Sequence, residues 1–247
     1  MKSLILAAGY ATRLYPLTLN TPKSLLPVGG VPTIELIIRD LEKINEIEQI
    51  LVVTNDKFFQ QFKDWQQQFS STRPIKIIND GSTSEQDRLG AIGDINFVIA
   101  QEKIADDLLV IGGDNLFELG LREFIDFAKL KLPACSVGLH KLENKEEVRR
   151  YSQVTLDGNK RITEFIEKPK NPSSTLVAKC VYLFSKNELG LIADYIAKGN
   201  PIDAPGNYIG WLCHEVAVYG FTFSGKWYDI GNYQTYQQAD RDFKERN

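Results

Sequence analysis

The sequence predicts an α/β fold, a mainly parallel sheet with helices on both faces. Three observations point there. Short apolar runs alternate with stretches whose apolar residues recur at helical spacing. The order reads β-loop-α-β-α-β-α-β, which calls for crossover helices between parallel strands. Glycines end two of the apolar runs, at Gly9 and Gly112, and ligands of such sheets sit beyond the carboxyl ends of the strands.

The first strand is the run Ser3 to Ala8. The loop after Gly9 carries Ala11, Thr12, Arg13, Pro16 and Pro22, delivers Lys23 and closes at Pro27. Ile34, Ile37, Ile38, Leu41 and Ile44 form the buried stripe of a helix starting near Thr33. Gln49 to Thr54 is a strand. Asn55 or Asp56 caps the next helix, whose Phe58, Phe62, Trp65 and Phe69 lie near one face. Ile75 to Ile78 is the third strand, and Asp80 to Ser84 is turn chemistry. A helix follows from Gln86 to about Ile99, then a strand from Leu108 to Ile111. Leu121 to Leu130 is helical and Ala134 to Leu139 extended. The charged run Lys141 to Arg150 is exposed. Ser152 to Leu156 and Arg161 to Ile166 flank Asp157-Gly158-Asn159 as a hairpin. Leu176 to Phe184 and Val216 to Ser224 are strands. Asn187 to Ala197, Ile209 to Glu215 and Tyr233 to Glu245 are helical.

Composition narrows the function classes. A chain of 247 residues builds one sizeable core. The net charge of −3 gives no general attraction to nucleic acid or an anionic membrane. No run approaches the roughly 18 apolar residues of a membrane span, and the N-terminus lacks a signal-peptide layout. Cys135, Cys180 and Cys213 read as reduced thiols, and with only His140 and His214 a zinc site is not expected. These features point to the cytoplasm. No linker or repeat divides the chain, so residues 1–247 are expected to form one domain. That domain divides at about residue 130 into an N-terminal half, about 1–130, and a C-terminal half, about 131–247.

Some chemistry is visible in the residues themselves. A strand, small residues and two spaced cations suit a backbone cradle for polyphosphate. Gly9 permits positive φ, Arg13 offers a planar fork and Lys23 a point charge. A solvated loop remains the alternative. The chain has no G-x-x-x-x-G-K-[ST], and Gly9-Tyr10-Ala11 lacks the later glycines of G-x-G-x-x-G. Asp114, after Ile111-Gly112-Gly113, would project from the ligand edge of the sheet as a Mg²⁺ ligand or serve as a turn former. Asp229 in Lys226-Trp227-Tyr228-Asp229-Ile230-Gly231-Asn232 would be a ligand or a helix-start carboxylate. Glu164 to Pro169, EFIEKP, is by itself an ordinary exposed edge.

The stretch LAAGYATRLYPLTLNTPKSLLPV, Leu6 to Val28, resembles the N-terminal signature of the sugar-phosphate nucleotidyltransferases, the NDP-sugar pyrophosphorylases. That signature runs LAAGxGTRLxPLTxxxPKxLLPV, and Ala11 stands where it usually has Gly. Gly112-Gly113-Asp114-Asn115 is similar to the family's GDN/GDH element, Trp227 to Gly231 to its W-x-D-[IV]-G element, and EFIEKP to its F-x-EKP element. The resemblance covers Lys2 to about Ala239. It implies a Rossmann-like mixed sheet of the nucleotidyltransferase type, with about residues 1–130 as a nucleotide-binding half and about 131–247 as an acceptor-binding half, and no appended acyltransferase or β-helix domain is expected after Asn247. It implies nucleotide contacts from Leu6, Ala7, Ala8, Gly9, Ala11, Thr12, Arg13, Lys23 and Asp114, with Gln86 and Gly90 as base-reading candidates. Asp114 and Asp229 would hold Mg²⁺. Glu167 would accept hydrogen bonds from sugar hydroxyls and Lys168 would bind the acceptor phosphate. Ser152 and Cys180 fall where the family has glycines, so both add side chain to the acceptor pocket.

The resemblance implies transfer of a nucleotidyl group from an NTP (UTP, dTTP or CTP) to a sugar 1-phosphate, releasing pyrophosphate. Arg13, Lys23, Asp114 and Asp229 would be catalytic. Two alternatives stay open: a cytidylyltransferase acting on a phosphorylated amino alcohol or polyol, and a silent sugar-nucleotide-binding regulatory protein. Partners would be the NTP and a phosphorylated small molecule, with no nucleic acid and no membrane. Homo-oligomer formation is left open.

Overall fold

A computed structural model describes residues 1–118 and 120–245. In chain order, β1 (Lys2–Leu6) leads through the first loop to a short hairpin, β2 (Pro27–Val28) and β3 (Val31–Pro32). Then come α1 (Thr33–Glu42), β4 (Gln49–Thr54), α2 (Asp56–Gln68), β5 (Ile75–Asn79), α3 (Gly90–Gln101), β6 (Leu108–Gly112) and β7 (Asn115–Phe117). The chain continues with α4 (Leu121–Lys131), β8 (Cys135–Lys141), β9 (Ser152–Leu156), β10 (Ile162–Glu167) and β11 (Leu176–Phe184). It ends with α5 (Gly190–Ala197), α6 (Pro205–Glu215), β12 (Val218–Thr222), β13 (Trp227–Asp229) and α7 (Tyr233–Lys244). The architecture is mixed α/β with a mostly parallel central sheet flanked by helices.

The chain forms two compact units, each discontinuous in sequence. The first comprises Met1–Leu89, Ile111–Glu118 and Gly225–Asn247, the second Gly90–Val110 and Leu119–Ser224. In the first unit β4 pairs in parallel with β1 and with β5, Leu4 opposite Leu51 and Val52 opposite Ile77. Ile50, Leu51, Val52 and Val53 are all fully buried, as a strand covered on both faces requires. The buried stripe of α1 is Ile34, Ile37, Ile38 and Leu41, and that of α2 is Phe58, Phe62 and Trp65. In the second unit β8 lies between β11, antiparallel, and β12, parallel. The β9–β10 hairpin turns where Asp157 Oδ1 accepts from the N–H groups of Asn159 and Arg161, at 2.8 and 2.9 Å.

Several elements differ from the sequence expectation for local reasons. Helix α3 starts at Gly90 rather than Gln86. The Asp87 carboxylate accepts from the backbone and hydroxyl groups of both Thr83 and Ser84, holding that segment as a turn. Those four donors also hold Asp87 far below the usual carboxylate range. Helix α6 starts at Pro205 rather than Ile209, with proline in the first turn, where its missing N–H costs nothing. Strands β7 and β13 are three residues each, too short for a periodic signal.

Lys179 on β11 is buried, with Nζ 4.5 Å from the Phe223 ring centroid. Burial pulls its ammonium down to about 7. In the unfolded chain it titrates near 10.4, so the unfolded state binds more protons between those values and stability rises with pH there. The penalty for the buried charge is therefore full below pH 7 and fades toward pH 10. Lys179→Met is expected to stabilise the protein by about 2–3 kcal/mol at pH 6.5. Urea denaturation should show that gain shrinking by pH 9.5; a pH-independent gain would contradict this account.

Candidate active site

The first loop is fastened before it reaches its cations. Ala7 N–H donates to Val53 O at 2.9 Å, extending the β1–β4 ladder by one residue. Asn55, fully buried, donates from Nδ2 to Ala8 O at 2.8 Å and accepts from Phe58 N–H at 3.0 Å. One side chain thus caps α2 and ties down the loop. Ala11 adopts the left-handed conformation, φ 50° and ψ 43°. Its carbonyl accepts from Leu14 N–H at 2.9 Å and from the Thr18 hydroxyl at 2.7 Å. Gly9 permits positive φ but does not take it, and a Cβ there would meet nothing within 4 Å. The strained residue is Ala11, at a cost of about 1 kcal/mol relative to glycine. Thr12 and Arg13 follow in a single 3₁₀ turn, Thr12–Leu14.

Lys23 opens a second 3₁₀ turn, Lys23–Leu25, directly after Pro22. Its ammonium forms a close ion pair with Asp114 Oδ2. Asp114 reaches that point because Gly113 lets the end of β6 approach β1. Gly113 N–H donates to Leu6 O at 2.9 Å, and a Cβ on Gly113 would meet Ser24 Oγ at 2.5 Å and Leu6 O at 2.8 Å. Asp114 Oδ1 accepts from Asn115 Nδ2 at 2.7 Å, and Asn115 Oδ1 accepts from Trp227 Nε1 at 2.9 Å. Strands β7 and β13 pair antiparallel with Asp229 opposite Asn115, and Ile230 N–H donates to Asp114 O at 3.0 Å. A small ladder thereby draws together two carboxylates that lie far apart along the chain.

Their electrostatics are unequal. Burial pushes the Asp114 carboxyl up, but the Lys23 ammonium and the Lys23 and Asn115 hydrogen bonds outweigh it and hold Asp114 below the ordinary carboxylate range. Burial and the charge of Asp114 raise Asp229 to about 6, against opposing pulls from Lys23 and Arg13. Arg13, Lys23, Asp114 and Asp229 therefore share one electrostatic neighbourhood within the first unit. Among the described residues no three His, Cys, Asp or Glu side chains form a metal cage. A carboxylate pair still suits Mg²⁺, which takes one or two carboxylates and completes its shell with phosphate oxygens and water. The donor set fits: both carboxylates offer hard oxygens, and a divalent cation would offset the burial and the Asp114 charge that raise Asp229.

The base-reading candidates lie apart in character. Gln86 is exposed in the turn held by Asp87. Gly90 is buried with φ +75°, and a Cβ there would meet Ile202 O at 2.8 Å and Asp203 Cα at 2.9 Å. Close backbone packing within the second unit accounts for this glycine.

The acceptor candidates also lie in the second unit. Ser152 faces Glu167 across the β9–β10 pair, and its hydroxyl donates to Glu167 Oε2 in a short hydrogen bond. Lys168 takes φ 46°, its N–H donates to Tyr151 O at 3.0 Å, and its ammonium lies 3.6 Å from Glu167 Oε1. Cys180 lies where the β11–β8 register shifts, and its thiol is hydrogen-bonded with the Tyr182 hydroxyl. Burial raises Tyr182 most, with Cys180 and Glu167 adding to it.

Sequence reasoning missed three supporting residues. Asn115 and Trp227 carry the link between the two aspartates, and Gly206 packs against the Ser152–Glu167 pair. Asn115 and Trp227 stand inside the motifs that named Asp114 and Asp229. Gly206 follows Pro205 in a stretch with no periodic signal.

The nucleotidyl transferase family model matches residues 2–246, and the chain belongs to that family. It is 30% identical over 248 residues to a protein of Sulfolobus acidocaldarius named as a mannose-1-phosphate guanyltransferase, covering 97% of this chain and 62% of that one. It is 31% identical over 232 residues to the bifunctional protein GlmU of Methanocaldococcus jannaschii, covering 94% of this chain and 51% of that protein. The chain thus spans between half and two thirds of the length of these two curated relatives. A UDP-glucose pyrophosphorylase solved with UDP-glucose shares the fold, with a TM-score of 0.83 at 20% identity, covering 100% of this chain and 99% of that one. No helix among the described residues is long and apolar enough to cross a membrane.

Proposed function

We propose that this chain transfers a nucleotidyl group from an NTP to a sugar 1-phosphate, giving an NDP-sugar and pyrophosphate. The observation that carries the reading is the Arg13, Lys23, Asp114 and Asp229 cluster beside a fastened small-residue loop. The names of the relatives, a mannose-1-phosphate guanyltransferase and a UDP-glucose pyrophosphorylase, agree with the reaction class and disagree on base and sugar.

An acceptor phosphate oxygen attacks the α-phosphorus in line, and pyrophosphate leaves. A phosphate monoester is already ionised at neutral pH, so no general base is needed, and positioning and charge stabilisation do the work. The backbone from Leu6 to Thr12 cradles the nucleotide. Arg13 neutralises charge gathering on the leaving pyrophosphate, and Lys23 steadies the α-phosphate. Glu167 takes a hydroxyl of the acceptor and Lys168 its phosphate. Asp114 and Asp229 would hold Mg²⁺, which when bound supplies positive charge to the phosphate oxygens.

The test is a matrix of UTP, dTTP, CTP, GTP and ATP against sugar 1-phosphates, phosphorylated polyols and phosphorylated amino alcohols, read by pyrophosphate release. Turnover is expected with a sugar 1-phosphate. Turnover confined to CTP with a non-sugar acceptor would replace the sugar reading, and no release from any pair would remove the enzymatic one.

A further inference from the structure

We infer that Ser152 is a positioning residue that occupies one oxygen of Glu167, leaving the other to recognise a single hydroxyl of the acceptor. The inference rests on the reading of Glu167 as an acceptor contact. Ser152 is 8% exposed, directly opposite Glu167 in the β9–β10 register, and its hydroxyl donates to Oε2. The head of α6 closes over this pair. A Cβ added to Gly206 would overlap both Ser152 Oγ and Glu167 Oε2 and would lie 3.0 Å from Glu167 Cδ. The Oε2 side of the carboxylate is therefore enclosed by a hydroxyl and by backbone. Oε1 faces the other way, toward the exposed Lys168 ammonium at 3.6 Å.

A free carboxylate offers about four acceptor sites and can bridge two neighbouring hydroxyls. Here the hydroxyl of Ser152 uses the second oxygen. The acceptor class that fits is a phosphorylated sugar or polyol recognised through one hydroxyl at this point, rather than through a vicinal diol. Fixing the carboxylate beforehand also removes ordering cost when the acceptor binds.

The experiment uses the full chain with its best NTP and acceptor from the matrix above, together with monodeoxy analogues of that acceptor. Ser152→Ala removes the hydroxyl and keeps the Cβ. Gly206→Ala pushes on the far ends of two flexible side chains, so it moves the carboxylate without opposing the backbone. Both variants are expected to raise the acceptor KM on the order of 10-fold while leaving the NTP KM within about twofold. In the wild type one deoxy analogue alone should lose recognition at this point; in Ser152→Ala a second position should begin to matter. An acceptor KM unchanged in both variants, or an NTP KM rising in step with it, overturns the positioning role while the transferase reading stands. No pyrophosphate release by the wild type with any acceptor overturns the transferase reading, and this inference with it.

Discussion

Asp114→Asn is expected to lower kcat by on the order of 100-fold or more while the chain stays folded. The substitution conserves shape, and the amide oxygen can still accept from Asn115 Nδ2, although the Lys23 ammonium loses its acceptor and some stability goes with it. The β7–β13 ladder and the Ile230 N–H to Asp114 O bond involve backbone only, so they survive. What disappears is one negative charge between Lys23 and Asp229. Steady-state pyrophosphate release together with a urea denaturation curve checks both halves. Turnover within threefold of the wild type would mean that this carboxylate plays no part in the reaction.

Lys23→Ala is expected to cost more in stability and to abolish turnover as well. It leaves the Asp114 carboxylate without its ammonium partner, and it strips from Asp229 one of the two cations that oppose its raised pKa. The side chains of the pair are only 19% and 24% exposed, so the charge left behind is poorly hydrated. Breaking one partner of such a pair should destabilise the apo protein by about 2–3 kcal/mol at pH 7. The double variant Lys23→Ala with Asp114→Asn should recover much of that loss, because the orphaned charge goes with it. A double variant as unstable as the sum of its two parents would show that the ion pair contributes nothing of its own.

Much of the first unit was legible because its elements carry long periodic signals. Helix α1 begins at Thr33 and β4 spans Gln49–Thr54, as their apolar spacing indicates. Asn55 was readable as a cap, but its second bond, to Ala8 O, joins residues 47 apart, and no local pattern records that. The αL backbone at Ala11 was hidden for another reason. Alanine is a poor marker of positive φ, and two donors on its carbonyl hold it there. Helix α3 was placed too early because Leu89 continues the apolar spacing, while the competing Asp87 turn is made of polar side-chain bonds that periodicity ignores. Motif resemblance named Asp114 and Asp229. The partners that bring them together, Gly113, Asn115 and Trp227, emerge only from hydrogen bonds and close contacts.

The three-segment make-up of the first unit has a consequence for synthesis. Asp229 and Trp227 lie on the third of its segments in chain order, and Trp227 bonds across 112 residues to Asn115. A nascent chain can lay down β1, β4 and β5 early, yet its two aspartates stay separate until the segment from Gly225 onward has emerged. Such late, distant closure slows folding and leaves a half-built sheet exposed to misassembly in the interim. Pulse-labelled nascent chains stalled before Gly225 should accordingly resist protease over their first strands while showing no transferase activity.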